Sequence, residues 1–546
     1  MEENRPPINE QALTIGEYLS FLLPRLAGDE TLMPTWPPDV FGISASLLLR
    51  GGAYAAAMDS WPPQERVDTW VSDTQGWGKE WRTSWGQESF IHLEAAWATL
   101  LAHTAIPLDQ IRDNRLLLDA LMELVAVADE ACFNVGITRD EFGDGPETPE
   151  DEFYDLAKSI LNQTSTSASS LCLEIHSSRL KVLPKMHTPQ NGLTLRSFSL
   201  NLALIEGDEI KPNWYTVPQF LAADEENGQL IRILLVPWPF KVEPADFKPV
   251  SPLKHEIANM PGGFGFFEYE PTQAPDVVAY ILRLLERVET QGYEFDGVVL
   301  PELALSSSEY ESLYVEVVAK RKFLLAGVRS SSDADAHCKN EVRFGLPLID
   351  PLRQAKHHRW QLNRRQIEQY GLSLDKDRRW WEHISLLNRE FMFVSLDKGL
   401  VVSVLICEDL ARPDPVGNLL RAVGPNLVIA LLMDGPQINA RWPGRYAASL
   451  ADDPGSSVLS VTSIGMSSLS MPSAGTLDRR RVVALWHEPN DMPREIDLPE
   501  GSEALLLTLQ NTYGIEWSAD GRNDAQNAGI LHLMNCQAVP ILDTRE

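Results

Sequence analysis

Hydrophobic positions in the first 160 residues recur at the three- and four-residue spacing of amphipathic helices. The spacing predicts helices over Leu13–Leu26, Gln87–Ala105 and Asp109–Ala128. The same part of the chain is rich in tryptophan, at Trp36, Trp61, Trp70, Trp77, Trp81, Trp85 and Trp97. Aromatic rings at helical spacing usually pack in a core, and otherwise they form a partner-binding face. We therefore predict a Trp-rich helical domain over 1–160, whose role the sequence does not reveal.

An acidic stretch and a Ser/Thr-rich stretch separate this region from a second one with a different pattern. Short apolar runs at Leu171–His176, Leu180–Leu183 and Leu195–Leu204 are typical of strands. We predict a β-rich connecting segment over 165–225, again without an assigned function.

From residue 228 onward, short and nearly continuous apolar runs alternate with helical patterns. Such runs are typical of strands that are buried on both faces. The predicted strands are Leu230–Pro237, Gly297–Leu300, Lys322–Val328, Leu400–Ile406, Leu427–Leu432 and Ser457–Ser463. The predicted helices are Asp276–Gln291, Tyr310–Arg321 and Arg441–Leu450. Alternation of strands and helices predicts a layered α/β domain over 228–546.

Composition and charge narrow the choice of function. The chain of 546 residues has a formal net charge of −30, so its average field repels polyanions and nucleic-acid binding by this chain alone is not expected. Its five cysteines are scattered without a C-x-x-C pair, which argues against a disulfide framework and a structural zinc site. We find no signal-peptide pattern and no apolar run of membrane-spanning length, and we expect a cytoplasmic protein that does not enter the membrane.

Candidate reactive side chains come directly after two of the predicted strands, and a third lies in a polar stretch between them. Glu302 comes just after the strand Gly297–Leu300, Cys407 ends the strand Leu400–Ile406, and Lys356 opens the polar stretch between them. The carboxyl ends of strands in layered α/β folds converge on a shared crevice. A carboxylate can take the thiol proton there, and an ammonium can stabilise a thiolate and an oxyanion.

Two motifs carry a family resemblance. Residues 296–306 (DGVVLPELALS) and 401–415 (VVSVLICEDLARPDP) resemble the glutamate and cysteine motifs of the nitrilase, or carbon–nitrogen hydrolase, superfamily. The resemblance covers 228–546 and implies an α-β-β-α sandwich, preceded here by the helical domain and the small β-rich segment. It implies a Glu-Lys-Cys triad without metal or cofactor. Glu302 would be the base, Cys407 the nucleophile, and the backbone N–H of Glu408 an oxyanion donor.

The lysine of the triad has two candidate alignments. The stretch Ala355–His358 resembles the K-x-H pattern of the family and favours Lys356. Aligning Arg359–Leu362 with K-x-x-L instead places Arg359 at this position. We prefer Lys356, because an ammonium whose pKa can be tuned suits the site better than a guanidinium. Glu368 is a candidate for a second glutamate that orients the lysine.

A stretch after the next strand holds candidate substrate-binding residues. By resemblance, the pocket residues of the family follow the strand after the cysteine, which points to Asp434, Gln437 and Arg441 together with Glu408. The alternative is an ordinary loop and helix with solvated charges.

The leading hypothesis is a cysteine-dependent hydrolase of C–N bonds that acts through a thioester. An amide substrate fits better than a nitrile, since Cys407-Glu408-Asp409 resembles the amidase and glutaminase branches. An active enzyme is expected to have a Cys407 thiol of lowered pKa. By resemblance we also expect a homo-oligomer.

The alternative is a nitrilase-like scaffold with little or no turnover that acts with a protein partner, bound through the N-terminal domain. The cysteine motif and residues 433–457 resemble nitrilase-like domains attached to bacterial reverse transcriptases in antiviral systems. No polymerase-like segment is found here, so such a role requires a separate partner.

Overall fold

The structure is a computed structural model that describes residues 13–27, 31–86, 90–137, 148–162, 169–189, 192, 194–217, 223–224, 228–250, 263–272, 276–330, 339–387, 389–396, 399–471, 481–525 and 527–540. Its α-helices are α1 (Ile15–Leu22), α2 (Pro37–Arg50), α3 (Tyr54–Ser60), α4 (Trp70–Thr83), α5 (Glu94–Ala102), α6 (Arg115–Ala131), α7 (Pro149–Leu161), α8 (Val277–Thr290), α9 (Ser307–Ala319), α10 (Arg364–Gln369), α11 (Asn418–Val423), α12 (Trp442–Asp452) and α13 (Ile464–Ser470). Its first strands are β1 (Leu180–Pro184), β2 (Leu202–Glu206), β3 (Lys211–Thr216), β4 (Ala223–Asp224), β5 (Gly228–Leu235), β6 (Phe247–Pro249), β7 (Phe264–Tyr269), β8 (Gly297–Ser306), β9 (Phe323–Ser330), β10 (Lys339–Gly345) and β11 (Leu352–Ala355). The remaining strands are β12 (Gln361–Leu362), β13 (Arg379–Glu382), β14 (Glu390–Ser395), β15 (Val401–Ile406), β16 (Leu427–Leu432), β17 (Ser457–Thr462), β18 (Val482–His487), β19 (Arg494–Asp497), β20 (Ser502–Gly514) and β21 (Ala528–Pro540).

Two large sheets form the centre of the fold. The first has the strand order β11-β10-β9-β8-β5-β20-β21, and the second has the order β19-β18-β17-β16-β15-β14-β3. Strands β5, β8 and β9 run parallel to one another, as do β15, β16 and β17. Apolar side chains of both sheets, such as Ile233, Val299, Val404 and Ile429, share one buried core. Burial on both faces explains why these strands are continuous apolar runs.

Helices cover the outer face of each sheet. Leu284 of α8 and Leu313 of α9 pack with Val298 and Leu324 on the first sheet. Helices α11 and α12 pack with apolar residues of β15, β16 and β17 on the second. The result is an α-β-β-α sandwich, so the expected fold class is confirmed.

The N-terminal helices form one hydrophobic core with that second outer layer. Helix α6 packs against α2, α4 and α5. Trp36, Trp61, Trp70, Trp81 and Trp97 are buried, and Trp77 and Trp85 are partly buried against the same core. The tryptophans thus stabilise the packing of this region, and the helical prediction holds there. Among the described residues, no helix is both long enough and apolar enough to span a membrane.

The connecting segment differs from the predicted row of strands. β1 and β2 form a hairpin, and β3 joins the second large sheet beside β14. Leu171–His176 is irregular, because the backbone N–H groups of Leu173, Glu174 and Ile175 donate to the buried Asp39 carboxylate. The predicted strand Leu195–Leu204 begins instead as a short 3-10 helix, Leu195–Phe198. N–H groups that bind a distant carboxylate are not available to a sheet ladder.

A small third sheet, in the order β12-β13-β7-β6, lies beside the sandwich. Together with α10 it packs through Phe267, Leu362 and Ile367 against Leu303 and Met433 of the sandwich. Leu303 directly follows Glu302, so this sheet adjoins the candidate active site.

Candidate active site

Glu302 lies on an irregular part of β8. The pairing of β8 with β9 shifts between Leu300 and Leu305, so that Pro301 to Ala304 lie opposite the single residue Gly327. A Cβ at Gly327 would lie 2.4 Å from the Cα of Glu302, so only glycine allows this close approach. Leu303 has a φ of 56°, in the left-handed region. The glutamate is therefore held within a bulged strand that reaches further than the sequence predicted.

Lys356 follows β11 and lies between two carboxylates. Its Nζ is 2.8 Å from Glu302 Oε1 and 2.6 Å from Glu382 Oε2, and all three side chains are buried. Burial lowers the pKa of Lys356, but the charges of Glu302 and Glu382 outweigh it and raise that pKa well above its ordinary value. The ammonium is thus a fixed positive charge.

Asn340 and Glu382 complete this group. Asn340 Nδ2 donates to Glu302 Oε1 and to Glu382 Oε1, at 2.7 Å in both cases. The backbone N–H of Trp360 donates to Glu382 Oε2 at 3.1 Å. Neither Asn340 nor Glu382 was predicted, because each comes from a strand whose pairing the local sequence does not reveal.

The other candidate for the lysine position, Arg359, and the candidate for its orienting glutamate, Glu368, lie elsewhere. Glu368 is exposed on α10 and lies 3.3 Å from Arg364 Nε, so Glu382 rather than Glu368 lies beside the lysine. Arg359 Nη2 donates to the Ile384 carbonyl at 2.8 Å, and its guanidinium lies 5.0 Å from the Phe266 ring centroid. Lys356, and not Arg359, contacts Glu302.

Cys407 begins a 3-10 helix, Cys407–Ala411, directly after β15. Its φ of 47° is unusual for a residue with a side chain, and such strained turns cluster at functional sites. Burial and the charge of Glu302 raise the pKa of the Cys407 thiol well above its ordinary value, while Lys356 lowers it. The expected lowered pKa is thus wrong, because burial and carboxylates outweigh the single lysine. The resting thiol is protonated and needs a base.

Glu302 has the properties of such a base. Its Oε1 accepts hydrogen bonds from Lys356 and Asn340, whereas its buried Oε2 has no partner among the described residues. Burial raises the pKa of Glu302, and Glu382 raises it further, against the opposing effect of Lys356. A carboxylate with a raised pKa and one free oxygen can accept a proton.

A cavity of about 270 Å³ opens beside Cys407. The described residues that line it are Trp360, Gln366, Cys407, Glu408, Ala411, Arg412, Met433, Asp434, Trp442, Arg445 and Tyr446. Glu408 and Asp434 were predicted for this pocket. Trp442, Arg445 and Tyr446 were not, although their spacing places them on one face of the predicted helix.

The other two predicted pocket residues contact the loop that carries Asp434. Arg441 Nη2 donates to Asp434 Oδ1 at 2.8 Å, and Gln437 Nε2 donates to the Gly435 carbonyl at 2.9 Å. Neither is among the described lining residues. Their contacts fix the loop that carries Asp434.

Over the described ranges, no three His, Cys, Asp or Glu side chains come together in a way that could hold a metal ion.

Comparisons with known proteins find similar solved structures at low sequence identity and low TM-scores. No protein-family model and no curated protein matches the chain. Among solved structures, it is similar to Saccharomyces cerevisiae Nit3, a member of branch 10 of the nitrilase superfamily, at 14% identity and a TM-score of 0.32, over 53% of this chain and 92% of that one. It is similar to XC1258 from Xanthomonas campestris, a CN-hydrolase superfamily protein, at 14% identity and a TM-score of 0.28, over 57% and 91%. An amidase from Nesterenkonia sp. matches at 12% identity and a TM-score of 0.32, over 52% and 91%. The solved structures named here are therefore nitrilase, or CN-hydrolase, superfamily members, similar to about half of this chain.

Proposed function

We propose that the protein is a cysteine-dependent hydrolase of C–N bonds in small amides, with Cys407 as nucleophile, Glu302 as base and Lys356 as electrophilic stabiliser. The observation that carries the proposal is the buried contact of Lys356 with Glu302, whose second oxygen has no partner among the described residues, in a site that also contains the buried Cys407 thiol. Apolar packing often stabilises a core as well as buried charges do, so this group favours a functional role over a purely structural one.

The reaction begins when Glu302 Oε2 accepts the Cys407 proton as sulfur attacks the carbonyl carbon of the amide. The C–S bond forms, and the carbonyl oxygen becomes an oxyanion. The Lys356 ammonium stabilises this oxyanion, helped by the backbone N–H of Glu408. As the second residue of the 3-10 helix, Glu408 has no acceptor for its N–H within that helix.

The second half of the reaction releases the products. Glu302 returns its proton to the nitrogen as the C–N bond breaks, which leaves a thioester on Cys407 and frees ammonia or an amine. Glu302 then takes a proton from water, whose oxygen attacks the thioester. The C–S bond breaks, the thiol regains its proton, and a carboxylic acid leaves.

The preference for amides over nitriles rests on the resemblance of Cys407-Glu408-Asp409 to amidase branches. Glu382 and Asn340 serve as positioning residues in this scheme, because they hold Lys356 and Glu302 without reaching the substrate.

Turnover and trapping test the proposal together. Incubation with a panel of small primary amides should release ammonium, and rapid quenching should reveal an acyl adduct on Cys407 by mass spectrometry. Cys407→Ala should abolish both signals, while Cys536→Ala, a change at an exposed cysteine, should leave them intact. Ammonium release that survives in Cys407→Ala, or no release from any amide in the panel, would overturn the proposal.

A further inference from the structure

A second cavity is lined in part by Ala304, which lies on the strand that carries Glu302. It has a volume of about 270 Å³ and is bordered by the loop after β5, the end of β7, the start of α8 and the strands β8 and β9. Trp238, Phe240, Tyr269, Val277 and Ala304 supply its apolar walls. Trp238 and Phe240 meet edge to face, with ring centroids 5.3 Å apart. These walls suit flat rings.

Three of the charged side chains that line this cavity already have partners. Asp246 Oδ1 accepts from the N–H and the hydroxyl of Thr272, at 2.8 Å in both cases. Lys241 is exposed and forms an ion pair with Glu243.

The remaining charged pair is satisfied as well. Arg329 Nη1 donates to the Leu303 carbonyl at 2.9 Å, and its Nη2 donates to Glu309 Oε2 at 3.3 Å. Each charged side chain among the described lining residues thus already has hydrogen-bond or ion-pair partners, which favours an uncharged ligand.

One polar group in the cavity wall is unsatisfied. The Tyr269 hydroxyl is buried and has no hydrogen-bond partner within the described part of the chain. Burial, and then the nearby charge of Asp246, raise the pKa of Tyr269, so the hydroxyl keeps its proton and acts as a donor. A buried donor without an acceptor costs free energy that a ligand with an acceptor can recover.

We propose that this cavity is a second binding site, for an uncharged two-ring aromatic molecule that accepts a hydrogen bond from Tyr269. Its volume exceeds the roughly 150 Å³ that holds one benzene ring, so two fused rings fit. The ligand also contacts Arg329, which holds the carbonyl of the residue after Glu302. The described residues that line this site differ from those that line the catalytic cavity. One of its walls is formed by β8, the strand that carries Glu302.

The test is a cycle of two ligands and two proteins. Indanone has two fused rings and one carbonyl acceptor, and indane is the same fused-ring skeleton without the carbonyl. Neither molecule has a C–N bond. Their dissociation constants should be measured by ligand-observed NMR for the wild type and for Tyr269→Phe. Cys407 is capped beforehand with iodoacetamide to occupy the catalytic cavity. Tyr280→Phe is the matched control, since its ring stacks behind Trp238 at 5.5 Å.

The proposal predicts saturable binding of indanone to the capped wild type. The ratio of the indane to the indanone dissociation constant should be roughly twofold to tenfold larger in the wild type than in Tyr269→Phe, the range for one hydrogen bond. Tyr280→Phe should keep the wild-type ratio. Absence of saturable binding, or the same ratio in the wild type and Tyr269→Phe, would overturn it. This result is independent of whether the protein hydrolyses amides.

Discussion

The buried Asp409 carboxylate accepts a hydrogen bond from the backbone N–H of His357 at 3.1 Å, and His358 Nδ1 lies 2.8 Å from the same oxygen. His357 directly follows Lys356, and Asp409 lies two residues after Cys407. The contact therefore joins the segment that carries the lysine to the turn that carries the thiol. Burial raises the pKa of Asp409, but the hydrogen bonds from His357 and His358 outweigh it and hold that pKa at about 2.

This pKa predicts an acid-dependent loss of stability. The folded pKa of about 2 is below the ordinary value of 3.8, so the ionised carboxylate stabilises the fold above about pH 4. The contribution, about 2 kcal/mol at neutral pH, is lost as the pH falls from about 4 to about 2. Urea unfolding of the wild type and of Asp409→Asn over this range measures it. The difference in unfolding free energy between the two proteins should shrink on acidification. A difference that is constant with pH would contradict the prediction.

The contact of Lys356 with Glu382 predicts graded effects on activity. Lys356→Met removes the oxyanion donor and should lower amide turnover by about 100- to 1,000-fold. Glu382→Gln keeps an acceptor but loses the charge that holds the lysine, so the loss should be smaller. Glu368→Gln changes an exposed glutamate and is the matched control. Steady-state ammonium release checks the order. A loss in Glu368→Gln equal to that in Glu382→Gln would contradict it.

The close approach of Gly327 to Glu302 predicts a steric effect. Gly327→Ala places a methyl group 2.4 Å from the Glu302 Cα, so the bulge must move and stability should fall by roughly 1–3 kcal/mol. Reaction of Cys407 should slow as well, because its base is displaced. Gly76→Ala is the control: this glycine lies in α4 with nothing within 4 Å of an added Cβ. Chemical unfolding and thiol labelling measure both effects, and equal behaviour of the two variants would refute the steric account.

The sequence predicts much of the sandwich and part of the site for one physical reason. Strands buried on both faces are apolar runs, so β15 and β16 and the positions of Glu302 and Cys407 are visible locally. The role of Glu382 cannot be predicted from the local sequence, because this residue is brought to Lys356 by β13, which pairs with the distant β7. The loop around Asp39 is equally hidden, since its backbone donors bind a carboxylate that lies far away in the sequence. The homo-oligomer, the protein partner and the three domain boundaries remain predictions.

A buried arginine predicts that the N-terminal helices and the C-terminal residues unfold together. Arg522 is fully buried, and it lies 3.0 Å from Asp129 Oδ2 of α6 and 2.9 Å from Asp520 Oδ2. Arg522→Met leaves these carboxylates without a countercharge and should cost about 3–5 kcal/mol. Arg364→Met, at an exposed arginine, should change stability by less than about 0.5 kcal/mol. Thermal and chemical unfolding distinguish the two, and a mild effect of Arg522→Met would argue against a shared unit.

The central claim, that Glu302, Lys356 and Cys407 form a working triad, is tested most directly by thiol labelling. The protein is treated with iodoacetamide at neutral pH, and the rate at each cysteine is followed by mass spectrometry, with the exposed Cys536 as internal reference. Cys407 should react faster than Cys536 despite its burial, and Glu302→Gln should remove that advantage. Glu316→Gln, at an exposed position on α9, should not. Labelling of Cys407 that is slower than that of Cys536, or that is unchanged in Glu302→Gln, would contradict the account.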